Sequence, residues 1–169
     1  MSFLSSEPKR TEEPSAEVAP GARLIPRITI QAFCEQSQTA QLVESAIHDR
    51  RMSKVALTTH NGGIDGAVET YKSNHTPNLI IVEKLLATDE IQGALERLAD
   101  VCDASTRVVV LGHVNDVLLY RELIRSGISE YIVMPATAQQ VVGAITELFA
   151  SENAAPIGRT VAFVSAKGG

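Results

Sequence analysis

The chain has 169 residues, 44% of them hydrophobic, and a net charge of −5 at neutral pH, which suits one domain of ordinary size with extensions. No basic run supplies the electrostatic footprint that nucleic-acid binding needs, and no stretch approaches the roughly 18 apolar residues of a membrane span, so neither nucleic acid nor direct membrane insertion is expected. Two widely separated cysteines, Cys34 and Cys102, with no signal-peptide pattern ahead of them, read as reduced thiols of a cytoplasmic protein rather than a disulfide framework.

Residues 1–26 are rich in Ser, Glu, Pro and Ala and carry almost no large apolar side chain after Leu4. Such a stretch cannot bury enough surface to offset its ordering entropy and reads as a disordered leader. From Arg27 to Cys34 a β-favouring run predicts the first strand, and the polar residues Glu35 to Gln38 open a helix with Leu42, Val43, Ala46 and Ile47 at helical spacing. Val55-Ala56-Leu57 is a short second strand. Asn61-Gly62-Gly63 reads as a turn rather than a phosphate-cradling loop, because it lacks a lysine and the GxGxxG spacing. Ile64, Ala67, Val68 and Tyr71 then form a second helical stripe.

Leu79-Ile80-Ile81-Val82, ending at Glu83, is a continuous apolar run, as expected of a parallel strand buried on both faces. Thr88 reads as the N-cap of a third helix running to about Cys102, with Ile91, Leu95 and Leu98 on its buried side. Arg107 to Leu111 is a fourth strand, Asp116 to Ser126 a fourth helix closed by Gly127, and Glu130 to Met134 a fifth strand ended by Pro135. Thr137 and Gln140 form a capping box ahead of a fifth helix with Val141, Val142, Ile145, Leu148 and Phe149 on one face. Five βα units imply right-handed crossovers and an α/β, doubly wound, five-stranded parallel sheet of the flavodoxin-like class, with strand order 2-1-3-4-5. That domain spans residues 27–150, residues 151–158 read as a linker, and residues 159–169 as a new strand entering Lys167-Gly168-Gly169.

Leu79 to Glu83 and Gly127 to Pro135 resemble the receiver domain of bacterial response regulators, a likeness that extends over residues 27 to 150. The resemblance implies an acceptor aspartate at the end of the third strand, acidic residues after the first strand that hold Mg²⁺, a Ser or Thr ending the fourth, and a lysine before the proline after the fifth. Here those positions hold Glu83, Glu35 beside Cys34, Gly112 and Met134. Phosphoryl transfer depends on positioning and on neutralising charge, so this set predicts a domain that is neither phosphorylated nor catalytic, with no metal or cofactor of its own. Glu83 has two readings: a built-in mimic of the phosphorylated aspartate, or a solvated carboxylate at the mouth of the sheet. Tyr131 and Pro135 match the family's switch aromatic and its frequently cis proline. The four histidines, His48, His60, His75 and His113, show no ligand spacing and read as surface or loop residues.

On the fourth helix, Leu119, Tyr120, Leu123 and Ile124 share one side, and Val114, Val117 and Leu118 fall on nearly the opposite side with Arg121. The receiver pattern turns the first stripe inward, and the exposed strip of Val114, Val117, Leu118 and Arg121 is the expected face of a homodimer. Ala166-Lys167-Gly168-Gly169 resembles the opening of the deviant Walker A loop of MinD/ParA ATPases, which implies ATP and Mg²⁺ for a following C-terminal domain. Leader, receiver-like domain and ATPase opening together resemble the CpaE/TadZ family of pilus assembly proteins. That resemblance implies a module that helps localise Flp/Tad-type pilus secretion machinery at the cell pole, recruited to the inner membrane from the cytoplasm. The alternatives are a signalling receiver with a noncanonical input at Glu83, or the regulatory domain of another MinD/ParA-family positioning ATPase.

Overall fold

The computed structural model describes residues 24–85 and 88–150. Its elements alternate as the periodicities predict: β1 (Thr29–Cys34), α1 (Ser37–Ala46), β2 (Ala56–Asn61), α2 (Gly63–Tyr71), β3 (Leu79–Lys84), α3 (Thr88–Ala99), β4 (Arg107–Gly112), α4 (Val117–Arg125), β5 (Glu130–Val133) and α5 (Ala138–Ala150). A single turn of 3₁₀ helix, Arg50–Met52, precedes β2. All neighbouring strands are parallel, in the order β2-β1-β3-β4-β5, as the flavodoxin-like class requires.

The period of two along each strand divides the core between the two faces of the sheet. Ile30, Ala32, Leu79, Ile81, Val109 and Leu111 pack against α1 and α5 through Val43, Ala46, Val141, Val142, Ile145 and Phe149. Phe33, Ile80, Val82, Val110 and Tyr131 pack on the other face against Ile64, Val68, Ile91, Leu95, Leu98, Leu119 and Leu123 of α2, α3 and α4. Every residue of β3 is buried, the signature of a central parallel strand. The same alternation sends the two polar residues that end it, Glu83 and Lys84, to opposite faces.

Local signals set the boundaries. The Thr137 capping box is reciprocal: the Gln140 amide donates to Thr137 Oγ1 at 3.2 Å and the Thr137 amide to Gln140 Oε1 at 2.8 Å. Asp116 caps α4 by accepting from the Leu118 amide at 2.7 Å. Gly62 takes a left-handed φ of 107° as the N-cap of α2, the turn expected of Asn61-Gly62-Gly63. Several bounds differ from the sequence reading: α3 ends at Ala99 rather than near Cys102, and β2 begins at Ala56 and extends through Asn61.

The packed unit also reaches further back than expected. Ile25, assigned from the sequence to the leader, is 1% exposed within the α1–α5 core, and its amide donates to the Arg51 carbonyl. The remaining leader residues, the side chain of Thr88, the linker, the strand at 159–164 and Lys167, Gly168 and Gly169 lie outside the described residues. No described helix is long and apolar enough to cross a membrane.

Candidate functional site

The carboxyl edge of the sheet gathers the positions that the receiver resemblance assigns to chemistry. Glu83 follows Leu79 and Ile81 onto the α1 side. There the chain leaves β1 and turns into α1, whose first amides have no intrahelical acceptor. The Glu35 and Gln36 amides both donate to Glu83 Oε2 at 2.8 Å, and Thr39 Oγ1 donates to Oε1 at 2.6 Å. His113, in the connection after β4, places Nε2 3.1 Å from the same Oε1. Glu83 itself is 0% exposed.

Burial alone would raise the Glu83 carboxyl, but the hydrogen bonds from Thr39, the Gln36 amide, His113 and the Glu35 amide outweigh it and hold the group below the ordinary carboxylate range. A buried, ionised carboxylate with four donors is a structural anion. This corrects the solvated reading of Glu83: the side chain is enclosed, not at a wet mouth. It also alters the mimic reading, since the partners are two amides, a hydroxyl and an imidazole, with Met134 at the lysine position. His113, read from the sequence as an ordinary surface or loop histidine, belongs to this site, as does Thr39. Both escaped notice because hydrogen-bond partners 30 and 44 residues away leave no local spacing signal.

Lys84 turns to the opposite face and is also buried. Its Nζ lies 3.6 Å from Glu35 Oε1 and 3.5 Å from Asp65 Oδ2, while Arg97 Nη2 holds Asp65 Oδ1 at 3.0 Å. The Arg97 hydrogen bond, with Lys84 adding to it, keeps the Asp65 carboxyl below its usual range against a smaller opposing effect of burial. Glu35 Oε2 accepts from the Leu85 amide at 3.1 Å. Glu35 folds across Gly63, where a Cβ would fall 2.6 Å from Glu35 Cγ and Oε1 and 2.7 Å from the Glu83 carbonyl oxygen. With φ at +54° as well, that position accepts only glycine without strain.

The family's Mg²⁺ does not fit this donor set. Both Glu83 oxygens are taken by donors of the protein, and Glu35 is divided between an ammonium and an amide. Among the described residues no group of three His, Cys, Asp or Glu side chains is placed to hold a metal ion.

The switch positions are joined to one another. Tyr131 is turned inward and buried, and its hydroxyl donates to the Val114 carbonyl at 2.8 Å. A Cβ at residue 112 would collide with Oη, Cζ and Cε2 of that ring, so glycine at the Ser/Thr position is what makes room for the tyrosine. The Met134–Pro135 bond is cis, as in the family pattern. Between the start of α1 and the β5–α5 connection lies a cavity of about 310 Å³ lined by Gln36, Thr39, Leu42, His113, Met134 and Pro135.

On α4, Val117 and Leu118 are 63% and 69% exposed, and Arg121 is exposed too. Leu119 and Leu123 face the core, but Tyr120 and Ile124, expected inward, are 39% and 36% exposed. A nine-residue helix buries only its i, i+4 ridge here. Val114, expected outward, is partly buried against the α2–α4 side of the core. It precedes α4, where helical spacing does not apply. The exposed apolar face is therefore Val117, Leu118, Tyr120 and Ile124.

Fold and site together define a receiver-like domain whose acceptor carboxylate is enclosed by its own backbone. No family model and no curated protein matches the chain. Among solved structures, a pilus assembly protein CpaE from Caulobacter crescentus CB15 is 46% identical, with a TM-score of 0.73 over 75% of this chain and 97% of that one. A putative CpaE2 pilus assembly protein from Sinorhizobium meliloti 1021 is 35% identical, with a TM-score of 0.70 over 72% of this chain and 99% of that one. The chain belongs to the CpaE family of pilus assembly proteins. A two-component response regulator from Clostridium difficile, 14% identical with a TM-score of 0.58 over 74% of this chain and 98% of that one, shares the receiver fold.

Proposed function

We propose that this domain is a non-phosphorylatable interaction and dimerisation module that helps localise Flp/Tad-type pilus assembly machinery. The observation that carries the reading is the enclosure of Glu83: a carboxylate satisfied by Glu35, Gln36, Thr39 and His113 offers no free oxygen to a phosphoryl donor. What the domain presents to the cell is then its surface, and α4 offers four large apolar side chains to solvent. A homodimer through Val117 and Leu118, with Arg121 at the rim, would bury them, and pilus assembly proteins at the cell pole would read the paired form.

Sedimentation of the wild-type chain against Leu118→Glu tests the interface. The expected result is a dimer that becomes a monomer with unchanged circular dichroism, and an unchanged mass removes this face from the proposal. The rival reading, a signalling receiver that takes its input at Glu83, is favoured only by the cavity beside His113 and Met134. A beryllofluoride titration followed by NMR separates the two: flat spectra agree with the enclosed site, and saturable shifts at Glu83 and Thr39 establish the rival.

A further inference from the structure

Three segments of the chain meet at the carboxyl edge of the sheet on the α2–α3 side, and the Lys84 ammonium lies among them. Glu35 comes from the β1–α1 connection, Asp65 from the first turn of α2, and Lys84 from the end of β3, next to Leu85, whose amide Glu35 also binds. A buried ammonium persists only where opposite charge compensates its lost hydration. Here the compensation comes from two carboxylates, of which Asp65 is shared with Arg97. Two acids and two bases balance. The receiver resemblance assigns Glu35 to a divalent ion, and in this chain Glu35 is spent on Lys84 and the Leu85 amide.

We propose that Lys84 is an internal replacement for a divalent cation. Its ammonium ties the end of β3 to Glu35 after β1 and to Asp65 at the start of α2, so these segments stay together without metal. Removing that ammonium exposes a latent cation site of hard oxygen ligands formed by Glu35 and Asp65, the ligand chemistry that Mg²⁺ and Mn²⁺ prefer. The inference concerns the α2–α3 side of the edge and is independent of whether α4 pairs two chains.

Titration of the isotope-labelled 169-residue chain with Mn²⁺, read as selective paramagnetic broadening of amide signals, tests it directly. In the wild type, millimolar Mn²⁺ is expected to leave the Glu35, Asp65 and Leu85 amides no broader than the rest, and its melting temperature is expected to be the same in EDTA and in Mg²⁺. Lys84→Met is expected to melt several degrees lower in EDTA, to recover part of that loss in Mg²⁺ or Mn²⁺, and to show broadening centred on Glu35 and Asp65. Lys84→Arg, which keeps a cation, is expected to stay insensitive to metal. Selective broadening of these amides in the wild type overturns the proposal, and so does a folded Lys84→Met that gains no response. Should Lys84→Met be unfolded in EDTA, refolding on addition of Mn²⁺ supports the latent site, and failure to refold refutes it.

Discussion

Restoring the hydroxyl that the receiver pattern places at the end of β4, by Gly112→Ser, is expected to destabilise the domain rather than repair it. The new Cβ would overlap the Tyr131 ring, which is 5% exposed and anchored by its hydroxyl to the Val114 carbonyl at 2.8 Å. If the ring stays, the core is overpacked, at about 1–3 kcal/mol. If it swings out, a buried hydrogen bond worth about 1 kcal/mol is lost together with the packing of the ring. Either route gives at least about 1–3 kcal/mol, which urea unfolding at constant slope resolves readily. Combining Gly112→Ser with Tyr131→Ala should relieve the collision, so the double variant should be more stable than the sum of the single changes by about 1–2 kcal/mol. A Gly112→Ser protein within about 0.5 kcal/mol of wild type, or strictly additive effects, would refute the interlock between these two residues.

Glu83→Gln turns a donor, its NH₂, towards the donors on whichever side it points, and should cost about 2–4 kcal/mol in urea unfolding at neutral pH. The folded carboxyl lies below 4.5, so its stabilisation is complete above that value and is lost as pH falls through the folded value. The wild type should therefore lose stability more steeply than Glu83→Gln below about pH 4.5, and parallel pH profiles would contradict the assignment. Burial, with a smaller effect from the Glu83 charge, pushes the Cys34 thiol up to about 12, and burial pushes Cys102 up to about 11. Both should react slowly with a disulfide reagent in the native chain at pH 8 and quickly in urea; rapid native labelling of Cys34 would show that β1 opens. Thr137→Ala removes one half of the α5 capping box and should lower stability by about 1 kcal/mol, measured by the same urea unfolding.

The elements most legible in the sequence were those in which a single physical effect dominates. The unbroken apolar run Leu79 to Val82 reads as a buried parallel strand, and Thr137 with Gln140 marks a helix start through contacts three residues apart. The site was legible in position but not in environment. Sequence comparison identifies Glu83 as the acceptor position, yet what decides its chemistry is a set of donors on β1–α1 and after β4, brought within 3.1 Å only by the sheet. Lys84 went unremarked for the same reason: alternation sends it away from Glu83, and Asp65 and Glu35 are neighbours only in space. On α4, helical spacing correctly placed Leu119 and Leu123, but it could not show that so short a helix leaves Tyr120 and Ile124 at the margin.

The enclosure of Glu83 also bears on how such a domain could change over generations. Aspartate at residue 83 would be one methylene short of the amides of Glu35 and Gln36, serine at 112 meets Tyr131, and Glu35 is already engaged by Lys84 and the Leu85 amide. Each of these changes towards the receiver pattern is expected to lower stability before it could add any phosphoryl chemistry. Glu83, Gly112 and Lys84 are each held by contacts within the fold, so selection for folding alone is enough to keep them as they are.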